Sequence, residues 1–196
     1  MKPTAVIGVL GGSFNPVHSG HLMLASYIAQ FGPVDSVALM LSPCNPLKRD
    51  VEMESDSDRF AMLSLACECS GVVTADDTEL SMPRPSYTID TLNRLAESNP
   101  DVRYKLIIGS DNWAIFNRWR ASEEILDRFG VIVYPRRGYP VDNIDEQRVE
   151  VIDAPMIDLS STFIRESIAR GKDMNYFLPP GVYRYICQHH LYGSEL

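Results

Sequence analysis

The chain has 196 residues, of which 45% are hydrophobic and 22% charged, as in an ordinary globular domain. Its formal net charge of −8 argues against a broad nucleic-acid-binding surface, which requires a basic face. No apolar run approaches the roughly 20 residues of a membrane-spanning helix, and the first apolar stretch is too short for a secretory signal. We therefore expect one domain over residues 1–196, located in the cytoplasm, with no membrane and no nucleic-acid partner.

Apolar runs alternate with helical patterns along the chain. Strands are predicted at residues 4–10, 34–41, 71–76, 104–109, 130–135 and 149–154. Helices are predicted from apolar stripes at Leu24–Phe31, Phe60–Cys67 and Val182–His189, and from the segments 88–98 and 122–129. The first, fourth and fifth strands are continuous runs rich in Val, Ile and Leu, typical of strands covered on both faces. This order predicts an α/β fold with an open parallel sheet and helices on both faces.

The first strand leads directly into an unusual segment, GGSFNPVHSGH, at residues 11–21. Open α/β sheets bind ligands at the carboxyl ends of their strands, which is where this segment lies. Gly11 and Gly12 allow the backbone to approach a ligand closely, although their spacing does not form the dinucleotide-binding fingerprint. Pro16 stiffens the turn. The segment is therefore predicted to bind a ligand.

Two histidines stand three residues apart in this segment. If a helix begins near Ser19, His18 and His21 lie about one turn apart at its N-terminal end. Gly20 removes side-chain bulk between them. Unpaired N–H groups favour an anion there, and a bound phosphate would raise the pKa of both imidazoles and hold them cationic. Instead of binding a phosphate, the two histidines could cap the helix or form half of a metal site. No nearby Cys, Asp or third His completes a zinc site.

A second polar segment, DLSSTFIRESI, occupies residues 158–168. Ser160, Ser161 and Thr162 are residues that cap and open helices, and their hydroxyls with the exposed N–H groups could hold phosphate oxygens. Arg165 follows in the first turn and could bind two oxygens at once. Taken alone, the segment fits an ordinary cap with a solvated arginine equally well.

Together the two segments resemble the HxGH and SxTxxR signatures of the nucleotidyltransferase superfamily, whose members bind ATP on a Rossmann-like sheet, the nucleotidylyltransferase fold. The segments SPCNPLK, SYTIDTL, IIGSDNWAIFNRW and FLPPGVYRYICQHHLYG further resemble bacterial nicotinate mononucleotide adenylyltransferases. This resemblance covers nearly the whole chain. It implies adenylyl transfer from ATP to nicotinate mononucleotide, giving deamido-NAD (nicotinate adenine dinucleotide) and pyrophosphate, with Mg²⁺ as cofactor.

The resemblance also implies roles for individual residues around ATP. His18, His21 and Arg165 would be the catalytic residues, and Ser161 would hold the β and γ phosphates together with Arg165. Lys48 would reach in from residues 44–58, a long charged segment that we predict to be mostly structureless. Lys48 could equally be an ordinary loop cation. The implied ATP-binding set is Gly11, Gly12, Ser13, Phe14, His18, His21, Lys48, Ser161, Thr162 and Arg165.

For the mononucleotide, the resemblance implies that Trp119 stacks on the pyridine ring and that main-chain N–H groups near Thr88 and Arg120 meet the carboxylate. Asp111 would position the sugar and the metal, although Mg²⁺ would be carried mainly by substrate phosphates, with no protein metal site. Structural alternatives are a helix cap for Thr88 and Asp111 and a core position for Trp119. The turn PRRG, at residues 135–138, could bring Arg136 or Arg137 to the phosphates or could be a solvated turn.

Three residues depart from the pattern of the superfamily. Asn15 stands where aspartate is common, which puts a metal-binding carboxylate there in doubt. Leu47 replaces a common histidine, and Arg120 replaces an aromatic residue and could strengthen binding of a carboxylate. Alternative functions are adenylyl transfer to nicotinamide mononucleotide or phosphopantetheine, or nucleotide sensing without catalysis. A homo-oligomer is possible.

Overall fold

The computed structural model describes residues 4–43, 53–141 and 144–194. Within these residues, strands and helices alternate as the sequence predicts, and each predicted strand and helix is present, most of them with shifted ends. No helix in the described part is long and apolar enough to cross a membrane. The strands are β1 Ala5–Gly12, β2 Ser36–Leu41, β3 Val73–Asp76, β4 Val102–Gly109, β5 Val131–Tyr134 and β6 Val149–Val151. The α-helices are α1 Ser19–Phe31, α2 Asp56–Cys67, α3 Thr88–Ser98, α4 Ser110–Trp113, α5 Ser122–Arg128, α6 Ser161–Ala169 and α7 Val182–Gln188.

The described strands form one parallel sheet in the order β3-β2-β1-β4-β5-β6. The chain winds outward from β1 through β2 to β3, then returns to the other side of β1 and continues through β4. This is the doubly wound Rossmann order, and its direction reverses between β1 and β4. The Rossmann-like fold predicted from the sequence is therefore confirmed. Ligands of such sheets bind at this reversal, beyond the carboxyl ends of the strands.

Helices cover both faces of the sheet, which explains the uninterrupted apolar strands. Successive residues of one strand point to opposite faces. Leu10 packs in one core with α1, α2, α6 and α7, whereas Val9 packs in the other with α3 and α5. Ile107 and Leu106 of β4 divide in the same way. Each face must therefore be apolar, as the sequence indicates.

Two details of the sequence-based prediction were wrong. Residues 56–58 are not structureless but form the first turn of α2, because the Ser55 hydroxyl caps the helix by accepting from the Asp58 N–H at 3.0 Å. Acidic residues in this first turn also suit the positive end of the helix dipole. The apolar stripe of α1 is incomplete, since Phe31 is 72% exposed while Ile28 is fully buried. Phe31 is the last residue of the helix, beyond the sheet-facing turn.

Candidate active site

The paired histidines lie where β1 gives way to α1. His18 is the residue preceding α1, and its main-chain N–H donates to Nδ1 of His21 at 3.2 Å. The two imidazoles stack, with ring centroids 3.6 Å apart and planes 21° apart. A Cβ at Gly20 would lie 3.1 Å from His18 Nδ1, so glycine accommodates the pair. Because Nδ1 of His21 accepts, the hydrogen of its neutral ring sits on Nε2 and is available to a ligand.

The surroundings of both imidazoles favour the neutral ring at neutral pH. Burial, followed by the charge of Arg136, lowers the pKa of His18 to about 4. Burial also lowers the pKa of His21 well below its usual value, with further contributions from His18 and Arg136. The cationic state expected from the sequence therefore requires a bound anion. His18 Nδ1 is buried and has no hydrogen-bond partner among the described residues, so a ligand could satisfy it.

The second motif is held against the first. The Ser160 hydroxyl caps α6 by accepting from the Phe163 N–H at 3.2 Å, while the Ser161 hydroxyl donates to the Pro16 carbonyl at 2.9 Å. Arg165 donates through Nη1 to the Asn15 carbonyl at 2.8 Å. The N-terminus of α6 and the turn before His18 are therefore joined directly.

A first cavity of about 540 Å³ opens beside this junction. Asp111 enters it from the start of α4, and its Oδ1 is buried without a hydrogen-bond partner in the described part of the chain. The Arg136 Nε lies 3.9 Å from that oxygen. Arg136 is fixed because its main-chain N–H donates to Ser110 Oγ at 2.8 Å and its Nη2 donates to the Tyr134 hydroxyl at 3.0 Å. The cavity thus has polar donors on several sides. Its polar lining includes His18, His21, Asp111, Arg136, Ser160 and Ser161.

A second cavity, of about 440 Å³, lies on the other side of the ends of β4 and β5. Tyr134 lines both cavities, and the neighbours Asp111 and Asn112 line the first and the second respectively. Inside it, the buried Thr91 donates its hydroxyl to Glu79 Oε1 at 2.8 Å. The two cavities therefore adjoin and could hold two reactants side by side. Residues that line the second include Gly11, Gly12, Ser13, Ser42, Glu79, Thr88, Thr91, Asn112 and Trp119.

The structure brings together most of the residues that the sequence singles out. His18, His21, Ser161 and Asp111 line the first cavity, and the residues at 11–13, with Thr88 and Trp119, line the second. The grouping differs from the expectation for Gly11, Gly12, Ser13 and Asp111. We expected the first three with ATP and the histidines, but they lie with the predicted mononucleotide-binding residues. We expected Asp111 with the mononucleotide, but it lies with the histidines. Lys48 and Leu47 lie outside the described residues.

Other predicted site residues line neither cavity. Phe14 is buried, adopts a left-handed φ of 42°, and packs edge-on against the His21 ring with 5.0 Å between ring centroids, so it supports the imidazole. The Arg120 guanidinium lies 4.6 Å from the centre of the Tyr87 ring and 3.5 Å from Asp90. Its side chain therefore covers the start of α3 rather than the second cavity. Thr162 is exposed and accepts from Arg165 Nη2 at 3.4 Å. Arg165, predicted to be catalytic, lines neither cavity either, and lies beside the first cavity through its bond to the Asn15 carbonyl.

Sequence reasoning left open or missed several residues at or beside the two cavities. It could not decide between a phosphate-facing and a solvated PRRG turn, and the structure places both Arg136 and Arg137 in the lining of the first cavity. Glu79 and Thr91 gave no signal, since they meet only when α3 packs against the turn at residues 78–81. Arg59, fully buried on α2, was also missed, and it donates to the carbonyls of Ser13 and Ser42. It thereby joins the ends of β1 and β2.

The described residues contain no cluster of three or more His, Cys, Asp or Glu side chains that could hold a metal ion. One carboxylate, Asp111, presents a buried oxygen without a hydrogen-bond partner to the first cavity. A single carboxylate suits a hard cation such as Mg²⁺ that keeps its other ligands from substrate phosphates and water. The site therefore fits a metal that arrives with a nucleotide.

The doubly wound sheet, the paired imidazoles at its first strand and the capped helix carrying Arg165 together define a nucleotidyltransferase. Residues 9–167 match the model of the cytidylyltransferase-like family, and the chain belongs to that family. Proteins named probable nicotinate-nucleotide adenylyltransferase from Bacteroides fragilis and Bacteroides thetaiotaomicron are 47% and 44% identical to it. The matches cover 92% and 91% of this chain and 90% and 89% of those proteins. Within its family, the chain belongs with the nicotinate-nucleotide adenylyltransferases, which confirms the family inferred from its motifs.

A solved structure supports the fold. The Plasmodium falciparum nicotinic acid mononucleotide adenylyltransferase complexed with NaAD superimposes with a TM-score of 0.75. The match covers 97% of this chain and 98% of that one, at 20% sequence identity. The fold is therefore shared over nearly the full length of both chains.

Proposed function

We propose that this protein transfers the adenylyl group of ATP to nicotinate mononucleotide, giving nicotinate adenine dinucleotide and pyrophosphate. The observation that carries the proposal is the pair of adjoining cavities, one lined by His18 and His21 and the other by Trp119. ATP would place its phosphates in the first cavity, and the mononucleotide would occupy the second. Tyr134 lines both cavities, and the two phosphates would meet beside it.

The reaction is a direct displacement. A phosphate oxygen of the mononucleotide attacks the α-phosphorus of ATP, a new P–O bond forms, and the bond to the β-phosphate oxygen breaks. Pyrophosphate leaves with the electron pair. The nucleophile is already an anion near neutral pH, so no general base is required. Rate enhancement would come from positioning and from stabilising the charge that develops around the α-phosphorus.

The imidazole pair suits this task as a set of hydrogen-bond donors. The Nε2–H of His21 can donate to a phosphate oxygen even in the neutral ring. A bound triphosphate would also raise the pKa of both histidines, because a nearby negative charge favours the cation. Before ATP binds, Arg136 supplies positive charge to the first cavity.

The second motif would hold the outer phosphates. Arg165 has five N–H donors; one is given to Asn15 and another weakly to Thr162, leaving others for phosphate oxygens. We propose that Ser161, and Lys48 from the loop, act beside it. Mg²⁺ would be held by the substrate phosphates with Asp111 as an oxygen ligand, where it would neutralise charge on the leaving pyrophosphate.

In the second cavity, Trp119 would stack on the pyridine ring, since it rests on Phe116 with ring centroids 5.4 Å apart and presents its remaining surface to the cavity. The main-chain N–H groups of Thr88 and Arg120 are proposed to bind the carboxylate of the ring. Glu79, held by Thr91, would accept hydrogen bonds from ribose hydroxyls.

A pyrophosphate-release assay with ATP and Mg²⁺ tests the proposal. Nicotinate mononucleotide, nicotinamide mononucleotide and phosphopantetheine are each supplied as acceptor. We expect the highest kcat/KM with nicotinate mononucleotide and a dinucleotide product of matching mass. Preference for either other acceptor would reject the substrate, and ATP binding without pyrophosphate release would indicate a sensor. The variant His189→Ala changes an exposed histidine after α7, and it should keep the wild-type rate of pyrophosphate release.

A further inference from the structure

The turn between β1 and α1 is held by side chains from distant parts of the chain. Asn15 is only 2% exposed. Its carbonyl accepts from Arg165, and its side-chain Oδ1 accepts from the hydroxyl of Tyr192 at 2.8 Å. Tyr192 stands 177 positions further along the chain, in the short turn after α7. A tyrosine at the end of the described chain therefore contacts the turn that leads into His18.

A closed set of hydrogen bonds fixes this tyrosine. Its main-chain N–H donates to Glu54 Oε1 at 3.1 Å, and the main-chain N–H of Glu54 donates to Asn15 Oδ1 at 3.3 Å. Together with the Tyr192 hydroxyl, these bonds link three residues in a ring. Burial and the charge of Glu54 raise the pKa of Tyr192, so its hydroxyl stays protonated and remains a donor.

The backbone around Tyr192 is also constrained. Tyr192 has φ 56° and ψ 25°, and His190 has φ 53°, both in the left-handed region that disfavours side-chain-bearing residues. Such conformations persist where surrounding contacts impose them. Leu191 is buried between these two residues, and Ser194 donates its hydroxyl to the Ile186 carbonyl at 3.1 Å. The terminal turn is thus anchored to α7.

We propose that Tyr192 is a positioning residue for adenylyl transfer, which sets the Asn15 turn and through it the placement of His18 and His21. The inference rests on the proposed function. The hydroxyl of Tyr192 fixes the Asn15 side chain from one side while Arg165 fixes its carbonyl from another. His18 follows three residues later, so rotation of this turn displaces both imidazoles. Asn15 stands where aspartate is common in the superfamily. Its neutral side-chain Oδ1 accepts from the Tyr192 hydroxyl and from the Glu54 N–H.

The variant Tyr192→Phe tests the proposal by removing one oxygen and keeping the ring. Tyr185→Phe is its matched control, because the Tyr185 hydroxyl also donates to a side-chain oxygen, that of Asp58 at 2.9 Å, which is not one of the three hydrogen-bonded residues Asn15, Glu54 and Tyr192. We expect Tyr192→Phe to lower kcat on the order of tenfold, since small displacements of catalytic groups are costly. KM for both substrates should stay close to wild type. Tyr185→Phe should keep the wild-type kcat, with a similar small change in Tm.

A double-mutant cycle with Asn15→Ala separates positioning from general destabilisation. If Tyr192 acts through Asn15, Tyr192→Phe should cause little further loss of kcat in the Asn15→Ala background. An equal loss in both backgrounds, or a Tyr192→Phe enzyme with the kcat of Tyr185→Phe, would overturn the inference. Should Asn15→Ala fail to fold, the two tyrosine variants decide alone. Wild-type protein is assayed in parallel. An inactive wild type would reject the proposed adenylyl transfer, whereas an active wild type with an unaffected Tyr192→Phe variant would reject only the role of Tyr192.

Discussion

His18 and His21 are joined twice, by a hydrogen bond of 3.2 Å from the His18 N–H to His21 Nδ1 and by stacking of their rings at 3.6 Å. One nitrogen of His21 is therefore committed to the helix start, and the other is free to donate to a ligand. The HxGH spacing places the two rings on one side of the first turn of α1. The pair behaves as one unit, so a change in either ring alters the other.

Loss of the His21 donor should remove most activity. We expect His21→Ala to lower kcat by about 10²–10³, the usual effect of deleting one donor to developing charge. His21→Asn is the sharper variant, because its amide oxygen can still accept from the His18 N–H while the Nε2–H donor is lost. Both variants should keep a cooperative thermal transition. Near-normal kcat in His21→Asn would show that the histidine only caps α1.

Acid should destabilise the protein through the buried imidazoles. The pKa of His18 is about 4 in the native state against 6.5 for an unperturbed histidine. Between these values the unfolded chain binds a proton that the native state does not, so stability falls as pH decreases from about 6.5 to about 4. At about 1.36 kcal/mol per pKa unit, the loss is on the order of 3 kcal/mol. The protein keeps its full stability from this source above about pH 6.5, and the loss is complete below about pH 4.

Urea unfolding at neutral pH and at about pH 4.5 measures this effect in wild type and in His18→Gln. Carboxylates contribute to the acid response of both proteins, so the difference between them reports the ionisation of His18 together with its effect on the pKa of His21. Wild type should lose more free energy of unfolding than the variant. Equal losses would show that His18 is protonated in the native state.

The sheet and its helices were predictable because their patterns are local. Continuous apolar runs identify buried strands, and α3 begins and ends with the segment 88–98 that the sequence predicts to be helical. The start of α2 was missed because its capping signal, Ser55 followed by Asp56, is embedded in a charged stretch that resembles loop. Local patterning thus sets the elements, while their ends depend on single capping residues.

The site was predictable only where one short segment carries the chemistry. The His18 and Arg165 segments each contain the donors and the helix start that make them recognisable. The contact between Tyr192 and Asn15 spans 177 positions and follows no periodicity, so nothing in the letters indicates it. The sequence likewise does not indicate that Gly11 and Gly12 line one cavity while His18 and His21 line the other, because this depends on where the cavities form in the folded chain.

Arg136 should matter both for binding and for the ionisation of the histidines. Arg136→Met removes the guanidinium that lies 3.9 Å from Asp111, and we expect a rise of about tenfold in the KM for ATP, as for a charge-assisted contact. It should also raise the pKa of His18 and His21, since the arginine lowers both. NMR titration of the histidine ring protons measures this shift. Arg170→Met, at an exposed arginine beside Glu166, is the control and should change neither quantity.

Trp119 should act on the mononucleotide alone. The two tryptophans flank Phe116, with Trp113 at 5.3 Å and Trp119 at 5.4 Å between ring centroids, but Trp119 is the one that lines the second cavity. Stacking of a base on an aromatic side chain contributes about 1–3 kcal/mol. Trp119→Ala should therefore raise the KM for nicotinate mononucleotide about tenfold or more and leave the KM for ATP unchanged, whereas Trp119→Phe should retain most of the affinity. Trp113→Ala removes the comparable contact with Phe116 without touching the cavity, so an equal rise in its mononucleotide KM would mean that Trp119 acts through packing rather than through the pyridine ring.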